Sequence, residues 1–167
     1  IYRVLDCIQL VRKSNWVEDN IENQLLSKVE LMLSWLDKMT FSNGDIPLFN
    51  DAAKGINPTS RELKNYAKHL NIKINDISLK ESGYRKLSSN IIECFFDVGD
   101  LQPSYQPGHS HADTFTFICN INSEPFIVDV GTSTYEKNNR REYERSTRAH
   151  NTIEINGTNS SDVWSGF

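Results

Sequence analysis

The sequence predicts an α+β chain in which helices come first and strands second. Apolar residues recur at spacings of three and four up to about residue 75, the period of one helix face. Near residue 83 the period changes to two, the signature of half-buried strands. The two kinds of segment are segregated, which argues against a chain of βαβ units.

Leu5, Ile8 and Val11 start the helical part. From Ile21 the apolar positions run Ile21, Leu25, Val29, Met32, Leu36 and Met39, one face of a helix of about 20 residues. Asn20 is its expected N-cap and Asn43-Gly44 its expected stop. Leu33 and Trp35 widen the apolar surface, which suits packing on more than one side. Asp45 to Gly55 reads as loop, with Gly, Pro, Asn and Asp as turn formers. Thr59 followed three residues later by Glu62 is a capping box, opening a second helix with the stripe Leu63, Tyr66, Ala67 and Leu70. His69 falls on its solvent side.

The strand part opens with Ile91 to Val98, rich in strand formers. Thr114-Phe115-Thr116-Phe117-Ile118 alternates polar and apolar residues. Asn122-Ser123-Glu124 reads as a hairpin turn leading into Pro125 to Val130. Thr152 to Ile155 runs into Asn156-Gly157, a strong hairpin signal. Lys137 to Arg148 interleaves arginines with glutamates and reads as a solvated loop, with substrate contact as the other reading. Asn156-Gly157-Thr158 and Asn159-Ser160-Ser161 match glycosylation acceptors, a pattern frequent by chance.

The 167 residues carry a formal net charge of −4, which speaks against nucleic acid as a partner while leaving room for a locally basic cleft. No apolar run reaches the roughly 20 residues of a membrane helix, so no membrane partner is expected. Cys7, Cys94 and Cys119 contain no CxxC pair, so a cysteine zinc site is not expected. Cys94 and Cys119 lie in strand-like runs as small core residues. Both chain ends read as cut from something longer, so the rest of a parent chain is an expected partner.

His109 and His111 stand two apart ahead of a strand, so strand geometry points their side chains the same way. Asp129 ends the next strand and His150 precedes the one after. Antiparallel neighbours bring His111, Asp129 and His150 together from three segments. Two imidazoles and a carboxylate suit zinc, with water in the fourth place. The competing reading is a pair of hydrogen-bonded loop histidines.

Three blocks carry a resemblance. Gly108-His109-Ser110-His111-Ala112-Asp113 is followed by Phe126-Ile127-Val128-Asp129-Val130-Gly131-Thr132-Ser133-Thr134-Tyr135 and by Arg148-Ala149-His150-Asn151-Thr152. In this order and at these separations they resemble the C-terminal region of the heparinase II/III family of polysaccharide lyases. The likeness covers about residues 83 to 167. Over residues 1 to 75 it is looser, resting on Ile46-Pro47-Leu48-Phe49-Asn50-Asp51 after a long helix.

The resemblance implies the end of an (α/α) toroid over residues 1–78 and the start of an antiparallel β-sandwich over 83–167. It implies β-elimination on a uronic-acid-containing, acidic polysaccharide: a base takes the C5 proton and the C4 oxygen leaves. Such a reaction needs charge stabilisation at the carboxylate and a positioned acid and base. By its match to the motif, His109 is the catalytic histidine, and His111, Asp129 and His150 are the ligands of a structural zinc that orients His109. Another divalent metal would fit the same donors. Arg148 and Tyr135 are candidate substrate contacts, each set against a plain structural role, and Asp113 braces the turn after His111. The family also draws a tyrosine and an asparagine or histidine from its toroid. Tyr2 loosely resembles that tyrosine, although Arg3 stands where some relatives carry histidine, and no role is carried onto it. Two alternatives remain: a carbohydrate-binding or scaffold protein that keeps the metal site, and a hydrolase using a zinc-bound water at His111, Asp129 and His150.

Overall fold

A computed structural model describes residues 1–15, 19–101, 105, 107–164 and 166. The chain divides into two compact units, one formed by 1–40 with 55–78 and the other by 41–54 with 79–167. The loop 41–54, which the sequence places among the helices, therefore belongs with the strands.

The first unit is helical: α1 (Tyr2–Arg12), α2 (Asp19–Lys38) and α3 (Ser60–His69). Leu5, Ile8, Val29, Leu33, Leu63, Ala67, Leu70 and Ile72 form its core. The buried face of α2 runs through Val29 and Leu33 and is flanked by Leu25, Leu26 and Leu36, while Ile21 and Met32 are exposed. The stripe is thus rotated toward Leu33 from the one the spacing predicts. Asn20 lies inside α2 rather than capping it. The predicted capping box on α3 is present, with the Glu62 amide donating to Thr59 Oγ1 and the Thr59 amide donating to Glu62.

The second unit is built on an antiparallel sheet. Among the described residues it has four strands in sequence order: β1 (Tyr84–Ser88), β2 (Ile92–Asp97), β3 (Phe117–Ile121) and β4 (Glu124–Ile127). Asn122 and Ser123 link β3 to β4 with φ of 52° and 66°, the left-handed pair of a type I′ turn. Phe95 is fully buried and meets Phe41 edge-on at 4.7 Å, while Phe49 stacks on Tyr84 at 5.4 Å, so 41–54 packs on the sheet through its aromatic residues. The edge strand β1 left little apolar signal because Arg85, Lys86 and Ser88 fill it, a composition that guards an open edge.

Three further expectations change, all in the second unit. β3 begins at Phe117; Thr114 and Phe115 form a turn, Phe115 at φ 64°. Thr152 to Ile155 is not a strand, and only the bridge Ile155 to Thr158 closes around Asn156-Gly157. The arginine-rich segment is not a solvated loop: it contains a fourth helix, α4 (Asn139–Arg145), in which Arg141 and Arg145 are buried. Asn138 caps it by accepting the Arg141 amide at 3.0 Å.

Candidate functional site

The His109–Asp113 segment is strapped down from two sides. Ser110 O accepts from Arg145 Nε and Nη2 at 3.0 and 2.8 Å. The Ala112 amide donates to Arg145 O at 2.9 Å, and Thr147 Oγ1 donates to Ala112 O at 2.7 Å. Asn151 donates to Phe117 O and Val128 O, tying together the strands that lead to and from the site. Thr152 Oγ1 donates to Thr114 O at 2.6 Å.

At the centre of this frame sits Asp51. Its Oδ1 accepts from Arg141 Nη1 at 2.5 Å and from His111 Nε2 at 2.9 Å; its Oδ2 accepts from Arg141 Nη2 at 3.0 Å and from His109 Nδ1 at 2.8 Å. Burial pushes this carboxyl up, but the hydrogen bonds from His111, Arg141 and His109 and the Arg141 charge outweigh it and hold it well below the usual carboxylate range. An ionised Asp51 only accepts, so His109 donates from Nδ1 and His111 from Nε2. In the neutral rings the lone pair is then on His109 Nε2 and on His111 Nδ1.

His109 is half-exposed and lies edge-on to Tyr135, ring centres 6.2 Å apart. The Arg141 guanidinium stands 5.1 Å from the Tyr135 ring, near enough for a cation–π contact. Arg141 is fully buried, donating also to Thr132 Oγ1 and Gly166 O. Tyr135 is held above the ordinary tyrosine value, first by burial and next by the Asp51 charge, with Arg141 opposing, so its hydroxyl keeps its proton.

His111 is turned inward and fully buried, its ring 5.2 Å from that of His150. Burial lowers its pKa, with His150 and Arg141 adding to the effect and Asp51 opposing it, so the neutral form dominates. His150 Nδ1 faces both Asp129 oxygens at 3.0 Å. Asp129 also accepts from the Gly131 amide and Thr116 Oγ1. His111 Nδ1 and His150 Nε2 are buried without a hydrogen-bond partner, as is Asp113 Oδ2. Burial pushes the Asp113 carboxyl up to about 7, with Asp97 and Asp129 adding and His150 opposing. Among the described residues no three His, Cys, Asp or Glu groups converge as a ready metal cage.

Of the residues singled out in the sequence, His109, His111 and Tyr135 gather around Asp51, and Asp129 joins His150 beside His111. Arg148 does not join them: it is exposed and forms a two-point pair with Glu154 at 3.1 Å. Asp51 and Arg141 were missed as site residues. Asp51 closes Ile46–Asp51, the block outside residues 83–167 that carries the resemblance, and Arg141 sits three residues after a good N-cap, Asn138.

Searches of curated proteins and of solved structures found no match. Residues 72–167 match the Heparinase II/III-like, C-terminal family, and the chain belongs to that family.

Proposed function

We propose that this chain is part of a polysaccharide lyase that cleaves uronic-acid-containing polymers by β-elimination. The observation that carries the reading is His109: a half-exposed imidazole whose Nδ1–H is fixed by an ionised Asp51, beside a protonated Tyr135. In this tautomer Nε2 holds the lone pair that accepts the C5 proton of a uronate. The electron pair left at C5 forms the C4–C5 double bond, and the C4 oxygen leaves with its bonding pair and takes up a proton from water. When protonated, the same ring neutralises the sugar carboxylate instead. Tyr135 supplies a hydroxyl and a ring face for the sugar. Arg148 contributes to substrate binding only if it leaves Glu154.

His111 and His150 fit a zinc ion, since each buries an unpartnered ring nitrogen, and Asp129 belongs to the same group. Zinc there supplies a structural tie rather than a reacting group. In its vicinity, His111 passes order to His109 through their shared partner Asp51, and Asp129 fixes the tautomer of His150.

The test uses the full-length parent and an acidic polysaccharide. Elimination creates a conjugated double bond that absorbs in the near ultraviolet, and His109→Ala lowers its rate of appearance by about 100-fold or more. Cleavage without that absorbance replaces the lyase reading with a hydrolase. Binding without cleavage replaces it with a carbohydrate-binding scaffold.

A further inference from the structure

Cys94 on β2 and Cys119 on β3 are register partners, side by side across the antiparallel ladder. The ladder shows which kind of pair they form. The Asn122 amide donates to Ile91 O at one end, and the Asp97 amide donates to Thr116 O at the other. Hydrogen-bonded pairs recur every second residue, so positions 91, 93, 95 and 97 of this strand bond, and Cys94 lies between them. Cys94 and Cys119 therefore occupy a non-hydrogen-bonded pair, where facing Cα atoms stand about 4.5 Å apart and the side chains are closest. That spacing lies within the roughly 4.4–6.8 Å range of disulfides. Both cysteines are free thiols, Cys119 buried and donating to Asn120 O at 3.7 Å, Cys94 partly open to solvent.

We propose that Cys94 and Cys119 are a modification site, closing a cross-strand disulfide by exchange with a low-molecular-weight disulfide such as oxidised glutathione. The Cys94 thiolate attacks one sulfur of the reagent and one glutathione leaves; the Cys119 thiolate then attacks the Cys94 sulfur and the second glutathione leaves. Two protein thiols are oxidised, one disulfide is reduced, and the two thiol protons pass to the departing glutathiones. Burial and the neighbouring Cys119 thiol push the Cys94 thiol up to about 11, so exchange is slow at neutral pH.

The bond closes the loop 95–118, which carries His109, His111 and Asp113. It ties the two ends of the segment that presents the site to adjacent strands, without a change of register. Cys7, on α1 of the other unit, is the internal control.

The experiment incubates the reduced, full 167-residue chain with a glutathione redox buffer and reads intact mass and disulfide-linked fragments. The expected result is loss of two hydrogens, with one linked fragment pair containing Cys94 and Cys119. In a Cys7→Ser background, Tm rises by about 5 °C or more on oxidation. Cys94→Ser in that background shows neither the linked pair nor the shift. Thiols that stay free, or glutathione held on Cys94 without an internal bridge, overturn the proposal.

Discussion

Asp51 is where the molecule concentrates its electrostatics. A nearly buried carboxylate costs several kcal/mol in lost hydration, and only close, multiple partners repay that. Four hydrogen bonds from Arg141, His109 and His111 do so here. Replacing the charge leaves the fully buried Arg141 guanidinium uncompensated. Asp51→Asn should therefore destabilise by about 3–5 kcal/mol in denaturant unfolding. A loss under about 1 kcal/mol would mean that Arg141 finds another partner. The same group sets an acid limit. Asp51 ionises at 3.8 in the unfolded chain and well below that when folded. Its stabilisation is fully present above about pH 5, is lost progressively as pH falls below the unfolded value toward the folded one, and is absent from the Asn variant. Unfolding midpoints from pH 6 downward would show the wild-type curve falling toward that of the variant.

At the scale of elements, α4 and the Gly131 turn both brace the site. Arg145 reaches from α4 to Ser110 O and Trp164 O, so Arg145→Met strips the donors from the buried Ser110 carbonyl at a cost of about 2 kcal/mol. In a parent enzyme it should also slow turnover, since Ser110 separates the two histidines; unchanged kinetics would show that the helix only packs. Gly131 has φ 56°, and a Cβ there would stand 2.4 Å from Ala52 O. Gly131→Ala should cost about 1–3 kcal/mol and displace the loop that carries Asp51, visible as changed histidine ring resonances. These elements show what was legible. Thr59–Glu62, Asn122–Ser123 and the Ile91–Val98 run are local signals, and local chemistry sufficed to place them. α4 was hidden because its charged residues read as solvent-facing, whereas Arg141 and Arg145 are buried through partners distant in sequence. β3 starts late because Thr114–Phe115 turns to bring Thr116 toward Asp129, a tertiary demand that alternation does not register.

For the whole molecule, the two units carry different loads. The helical unit rests on aliphatic burial around Val29 and Leu33, whereas the sheet unit buries His111, Asp129, Arg141 and His150 among polar partners. The division itself was only partly legible, because Phe41, Phe49 and Asp51 contact residues far ahead in the sequence and a linear reading leaves them between helices. A polar centre with two unpartnered ring nitrogens is incomplete on physical grounds, since an unmet buried donor or acceptor costs about 1–3 kcal/mol. A zinc ion bound there adds stability by mass action, about 2.7 kcal/mol when free metal is 100 times its dissociation constant. Chelation should then lower the Tm of the chain by roughly 5–10 °C. Hydrogen exchange should quicken at amides of β2, β3 and the Asn151 region while those around Val29 and Leu33 stay unchanged. Metal analysis should find about one zinc per chain, lost in His111→Ala. A protein whose melting and exchange ignore chelator, and which purifies without metal, would leave His111 and His150 as a buried pair held by Asp51 and Asp129 alone.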